Sequence, residues 1–193
     1  MVMEAYNAGQ RIFGENKVQD LAAKQLQLPN DIQWHFIGHL QTNKVKFIAP
    51  FVSMIEAVDS LKLLIEINKQ AAKTNRIIHC LLQFHIGEED TKFGLDIEEA
   101  KEILETDEYG KMENIKIAGV MGMATYTDNI SQVRREFKTL KNIYKQFKIT
   151  YFSDNLAFTE ISMGMSGDYK IAIEEGSTMV RIGSLIFGGR NYG

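Results

Sequence analysis

The chain has 193 residues, of which 45% are hydrophobic and 24% charged, with a formal net charge of −3. That composition suits a globular chain able to bury a real core, and the charge gives no reason to expect nucleic acid or an anionic membrane as a partner. A lone cysteine, Cys80, excludes an internal disulfide and fits a reducing, cytoplasmic compartment, and no apolar run reaches the ~18 residues of an ordinary transmembrane helix.

The opening Met1–Gln10 carries Glu4 and lacks a long apolar core, so it is not a signal peptide; Val2–Ala8 reads as a helix entered in the middle of a fold. From there short apolar runs alternate with amphipathic ones. Arg11–Phe13 predicts a strand and Val18–Leu28 a helix; Ile32–Ile37 and Gln41–Ile48 repeat the pair. Met54–Val58 is followed by Leu61–Lys73, where Leu61, Leu64, Ile65 and Ala72 fall at helical spacing and Asp59-Ser60 supplies an N-cap signal. The alternation continues through strand Ile77–Ile86, helix Ile97–Leu104, strand Ile115–Met123, helix Ser131–Phe147, strand Glu160–Met165, helix Tyr169–Glu175 and strand Met179–Phe187. Only two prolines, Pro29 and Pro50, interrupt the chain and no low-complexity segment does, which predicts one domain over residues 1–193.

Such alternation demands a parallel sheet with right-handed crossovers. An open dinucleotide-binding sheet should begin with a glycine-rich turn after its first strand, but Phe13-Gly14-Glu15-Asn16 holds one glycine. A TIM-type (β/α) barrel is therefore expected. Eight units need about 250 residues, and seven are counted here, so the expectation is a barrel incomplete at its N-terminus, lacking its first strand. The strands on either side of that gap would be unpaired edges, an association hazard.

Active sites of such barrels lie where the strands end. Two strand ends echo each other, Met121-Gly122-Met123-Ala124-Thr125 and Met163-Gly164-Met165-Ser166-Gly167. The methionines read as core packing, whereas the Ser166 hydroxyl, beside Gly167, can donate to a phosphate oxygen. Arg181 lies within an apolar run and cannot shed its charge, so it needs a partner. Either it faces an anion or it pairs with a buried carboxylate such as Glu15 or Glu160. Gly183-Ser184 follows and can open a short helix whose free N–H groups face an anion. His35 and His39 would stand about 13 Å apart on a strand, too far to share a metal. His79, Cys80 and His85 lack ligand spacing, so no metal site is expected. Glu88-Glu89-Asp90 reads as a solvated loop leading to Lys92, and Trp34 as core.

Taken in order, Phe13–Asn16, Trp34–Gln41 with Asn43-Lys44, Thr91–Leu95, Met121–Ala124, Ser162–Tyr169, Glu174–Thr178, Val180–Gly183 and Phe187-Gly188 resemble the pyridoxal 5′-phosphate homeostasis family, a single-domain relative of the alanine racemase barrel. The resemblance implies that pyridoxal 5′-phosphate (PLP) is the cofactor and a small molecule the partner. Ser166 and the backbone at Gly183-Ser184 would hold its phosphate, Asn16 would lie near its ring, and Arg181 would face its pyridine nitrogen. It implies cofactor homeostasis without substrate turnover. The family's Schiff-base lysine sits at the end of the first strand, ahead of this chain, so no catalytic residue is assigned. Lys17, Lys44 and Lys92 follow strand ends and could approach an aldehyde. A racemase-like PLP enzyme and a barrel binding phosphate compounds without covalent chemistry are the competing functions, and the oligomeric state is left open.

Overall fold

A computed structural model describes residues 1–88 and 93–189. Seven strands form one parallel sheet in sequence order: β1 (Ile12–Glu15), β2 (Gln33–Phe36), β3 (Met54–Val58), β4 (Ile78–Phe84), β5 (Ile115–Gly122), β6 (Glu160–Met165) and β7 (Met179–Arg181). The helices are α1 (Val2–Asn7), α2 (Val18–Gln25), α3 (Leu61–Lys73), α4 (Ile97–Leu104), α5 (Asp107–Gly110), α6 (Ile130–Thr150), α7 (Tyr169–Glu174) and α8 (Ser184–Phe187), with a 3-10 segment at Thr42–Phe47. Among the described residues β1 and β7 each have one strand neighbour.

The sheet curls into a barrel. In a flat sheet β3 and β6, three strands apart, would be separated by roughly 14 Å, yet the Ser162 hydroxyl of β6 donates to Glu56 of β3 over 2.5 Å. Curling gives the strands two faces with different contents. The outer face joins the helices in a large apolar layer that includes Phe36, Phe84, Phe137, Phe147 and Leu64. The inner face holds a small cluster, Met54, Ala57, Leu81, Ala118 and Met121, together with polar side chains.

The expected alternation is what the chain forms, with three local differences. The buried face of α3 is Leu63, Leu64, Ile67 and Ala71, while Ile65 is 42% exposed; apolar spacing alone picked a face rotated from the one that meets the sheet. Its N-cap is Ser60, which accepts from the Leu63 amide. The run Met179–Phe187 splits into β7 and the short α8, because Gly183 breaks the strand. The Gln41–Ile48 helix is the tighter 3-10 form.

Two glycines permit close approaches, one between neighbouring strands and one between strand and helix. Gly119 of β5 has φ +156°, and a Cβ there would lie 1.9 Å from the Glu160 carbonyl oxygen of β6. Gly164 of β6 has φ +96°, and its Cβ would lie 2.5 Å from that of Ala172 on α7. Both combine a backbone conformation that L residues avoid with a close approach. Gly119→Ala should therefore lower unfolding stability by at least about 2 kcal/mol, read by urea denaturation; an unchanged midpoint would show that β5 and β6 can separate freely.

Candidate functional site

Four side chains from four strands meet inside the barrel. His35 (β2) is hydrogen-bonded through Nδ1 to Glu56 Oε1 at 2.8 Å. The Ser162 hydroxyl (β6) donates to Glu56 Oε2. Arg181 (β7) donates through one terminal nitrogen to Ser162 Oγ at 2.6 Å and through the other to the Gly122 carbonyl of β5 at 3.0 Å. His35, Glu56 and Ser162 are buried, so an ionised group here must be balanced inside the protein. Arg181 supplies the positive charge and Glu56 the negative one, with Ser162 as the bridge.

Burial pushes the Glu56 carboxyl up, but the His35 hydrogen bond, the Arg181 charge, the His35 charge and the Ser162 hydrogen bond together hold it below the ordinary glutamate value. Burial likewise pulls Arg181 down, opposed by the charges of Glu56 and Asp168. Arg181's carboxylate partner is thus neither Glu15 nor Glu160. Glu15 is tied to Lys24 and to the Asn16 amide, and Glu160 to Thr178 and Thr159.

At the C-terminal end of the barrel the Ser166 hydroxyl accepts from the Gly183 amide at 3.2 Å and the Leu185 amide at 3.5 Å. β6 and β7 thus bring Ser166 together with the Gly183-Ser184 turn. The Asp168 carboxylate takes the Met165 amide and closes the Met165–Asp168 turn that carries Ser166. Arg181 belongs to the strand that ends at this turn, but its guanidinium is directed inward, to Ser162 and Gly122. Asn16 lies at the end of β1, exposed, with its backbone packed against Gly38. With Lys17, His39, Gln41 and Lys44 it lines a separate cavity of about 220 Å³. His39 stacks on Phe93 with ring centroids 3.9 Å apart and bonds Asp59.

The other strand-end echo is structural. The Thr125 amide and hydroxyl are both taken by Glu136 of α6 at 2.6 and 2.8 Å, and Gly122 contributes its carbonyl to Arg181. Lys17 is exposed, Lys44 half-buried, and Lys92 lies outside the described residues. Cys80 is a buried core thiol pushed far up by burial. Sequence reasoning missed Glu56, Ser162 and the role of His35. The signal was there: Met54-Ile55-Glu56-Ala57-Val58 places a carboxylate inside an apolar strand, as Arg181 places a cation.

A sequential parallel barrel with its polar network inside and a hydroxyl-amide turn at its C-terminal end is of the alanine racemase N-terminal type, and residues 1–191 match the family model described as alanine racemase, N-terminal domain. The pyridoxal phosphate homeostasis protein of Aquifex aeolicus is 40% identical over 193 residues, covering all of this chain and 82% of that protein. The human protein of the same name is 39% identical over 204 residues, covering all of this chain and 73% of its own length. The solved structure of PipY from Synechococcus elongatus with PLP bound is 31% identical with a TM-score of 0.85, covering 97% of this chain and 86% of that one. The chain belongs to the pyridoxal phosphate homeostasis protein family.

The depressed Glu56 carboxyl links the network to acid stability. A group whose folded value lies below its unfolded value, about 4.3 for glutamate, contributes stability above that pH and loses it as pH falls through the folded value. Stability should therefore drop below about pH 4.3, and the Glu56→Gln protein, less stable at neutral pH, should lose less over the same window. Equal acid slopes for the two proteins in urea titrations would contradict the assignment.

Proposed function

We propose that this chain binds PLP at the Ser166–Gly183 end of the barrel and serves the intracellular homeostasis of that cofactor, without turning over a substrate. The observation that carries the reading is the convergence of the Ser166 hydroxyl with the Gly183 and Leu185 amides, on the strand ends that flank Arg181. This turn suits a phosphate. The Gly183 and Leu185 amides both donate to the Ser166 hydroxyl, so three polar groups are gathered where a phosphate could take them over. A Cβ built on Gly167 or Gly183 would meet no atom within 4 Å, so a tetrahedral anion can approach the backbone. The names of the relatives and the PLP of PipY support the same reading.

Bound PLP supplies an electrophilic aldehyde and a pyridine ring that can act as an electron sink. The chain's own residues determine how far that chemistry goes. Arg181, turned toward the barrel interior, is the group for the ring nitrogen; a permanent cation there disfavours ring protonation and weakens the sink. This favours a carrier over an amino-acid racemase. Asn16, at the other edge of the sheet, would approach the ring from the β1 side. For covalent attachment a lysine must be desolvated enough to lose its proton, and Lys17 is exposed to solvent.

The chain should therefore bind PLP saturably and reversibly, with the spectrum of the free aldehyde retained. Inorganic phosphate should compete, and Ser166→Ala should weaken binding roughly 10- to 100-fold, as loss of a hydrogen bond to a charged group does. Borohydride reduction followed by peptide mapping should label no single lysine stoichiometrically. Selective labelling of Lys17, Lys44 or Lys92 would overturn the non-covalent reading, and unaltered affinity in Ser166→Ala would overturn the phosphate site.

A further inference from the structure

The hydrogen-bond polarity of the buried network follows from its two charged ends, the Arg181 guanidinium and the Glu56 carboxylate, which its neighbours hold ionised. A guanidinium can only donate, so Ser162 Oγ accepts from Arg181 at 2.6 Å. The Ser162 proton must then go to its other neighbour, Glu56 Oε2, at 2.5 Å, within the range of a charge-assisted O–H···O bond. Glu56 accepts there as a carboxylate, and His35, 2.8 Å from its second oxygen, donates from Nδ1. Donors thus converge on Glu56 from both sides: Arg181 through Ser162, and His35 directly. Among the described contacts Arg181 spends two of its five N–H donors, one on Ser162 and one on the Gly122 carbonyl. Its planar fork is held at two points, on β6 and on β5, so the direction of the remaining donors is set.

We propose that Glu56, acting through Ser162, is the positioning residue that fixes the orientation of the Arg181 guanidinium and offsets its charge where it meets the ring nitrogen of PLP, an inference that rests on the reading of Arg181 given above. A serine bridge without a carboxylate behind it could turn its proton elsewhere and accept poorly from Arg181. The Gly122 carbonyl, a single point, would leave the fork free to rotate. With Glu56 in place the ring nitrogen meets a guanidinium cation whose N–H donors are held in one direction, rather than one free to rotate.

The test reads Arg181 directly, before any cofactor is added. In ¹⁵N-labelled ligand-free protein the terminal N–H groups of Arg181 should give separate, slowly rotating resonances; in Glu56→Gln, which keeps the shape and removes the charge, they should average. Ser162→Ala leaves the carboxylate but removes the bridge and should give the same averaging, so it decides the matter if Glu56→Gln does not fold. With ring-¹⁵N-labelled PLP, both variants should move the ring-nitrogen resonance away from the wild-type position and weaken binding about tenfold. The ³¹P resonance of the phosphate, held at Ser166, should stay in place. Resolved Arg181 resonances and an unmoved ring-nitrogen signal in both variants would overturn this inference alone. A wild-type protein that binds no PLP would overturn the functional reading and this inference with it.

Discussion

A guanidinium placed inside a barrel cannot be neutralised by losing its proton, and much of this structure follows from how that charge is met. Arg181 stands on the last strand, and its countercharge, Glu56, stands four strands earlier in the sheet order. They are joined through Ser162 of β6. Removing one partner of a buried pair costs roughly 3–5 kcal/mol because the other is left uncompensated. The network therefore does more than satisfy polar atoms. It draws β2, β3, β6 and β7 to a common centre and so fixes the curvature that turns a seven-stranded sheet into a barrel.

The outer layer makes that curvature possible. Helices α3 and α6 bury apolar stripes, Leu63, Leu64 and Ile67 on one and Phe137, Leu140 and Phe147 on the other, against the convex face. Arg134 of α6 binds Glu174 and Glu175 at the end of α7, holding those two helices side by side. The inner face needs little apolar filling because it is partly occupied by the polar network. Its small cluster of Met54, Leu81, Met121 and two alanines leaves the C-terminal end to the Ser166–Gly183 turn. Fold and site thus divide the two faces of the strands: the outer face is apolar, and the inner face carries the ionic network beside its small apolar cluster.

The alternation of strands and helices was plain in the sequence because each parallel strand, covered on its outer face, reads as an apolar run of Val, Ile and Phe. Leu61–Lys73, Ile97–Leu104, Met54–Val58 and Glu160–Met165 appear in the structure with the bounds read from the chain. The pairing of Arg181 was not legible. A sequence shows that a buried cation needs a partner but not which of several carboxylates the barrel curvature will bring to it. Glu15 and Glu160 stand near strand ends and look accessible to it, yet they serve Lys24 and Thr178. Glu56, in the middle of an apolar strand, reaches Arg181 only because β3 and β6 face each other across the barrel. The rotated face of α3 has a related cause: periodicity reports that a helix has an apolar side, while the sheet it meets decides which residues lie at the centre of that side. The meeting of Ser166 with Gly183-Ser184, by contrast, follows from adjacency of the last two strands and could be read from order alone.

The central claim is that the turn joining Ser166, Gly183 and Ser184 receives the phosphate of PLP while Arg181, oriented by Glu56, receives the ring. A crystal structure of the chain soaked with PLP tests it most directly. The account predicts phosphate oxygens within hydrogen-bond distance of the Ser166 hydroxyl and the Gly183 amide, with the pyridine nitrogen toward the Arg181 guanidinium and the Arg181–Ser162–Glu56–His35 network intact. Phosphate bound instead in the cavity beside Asn16, Lys17 and Lys44, with the Ser166 turn empty, would contradict it.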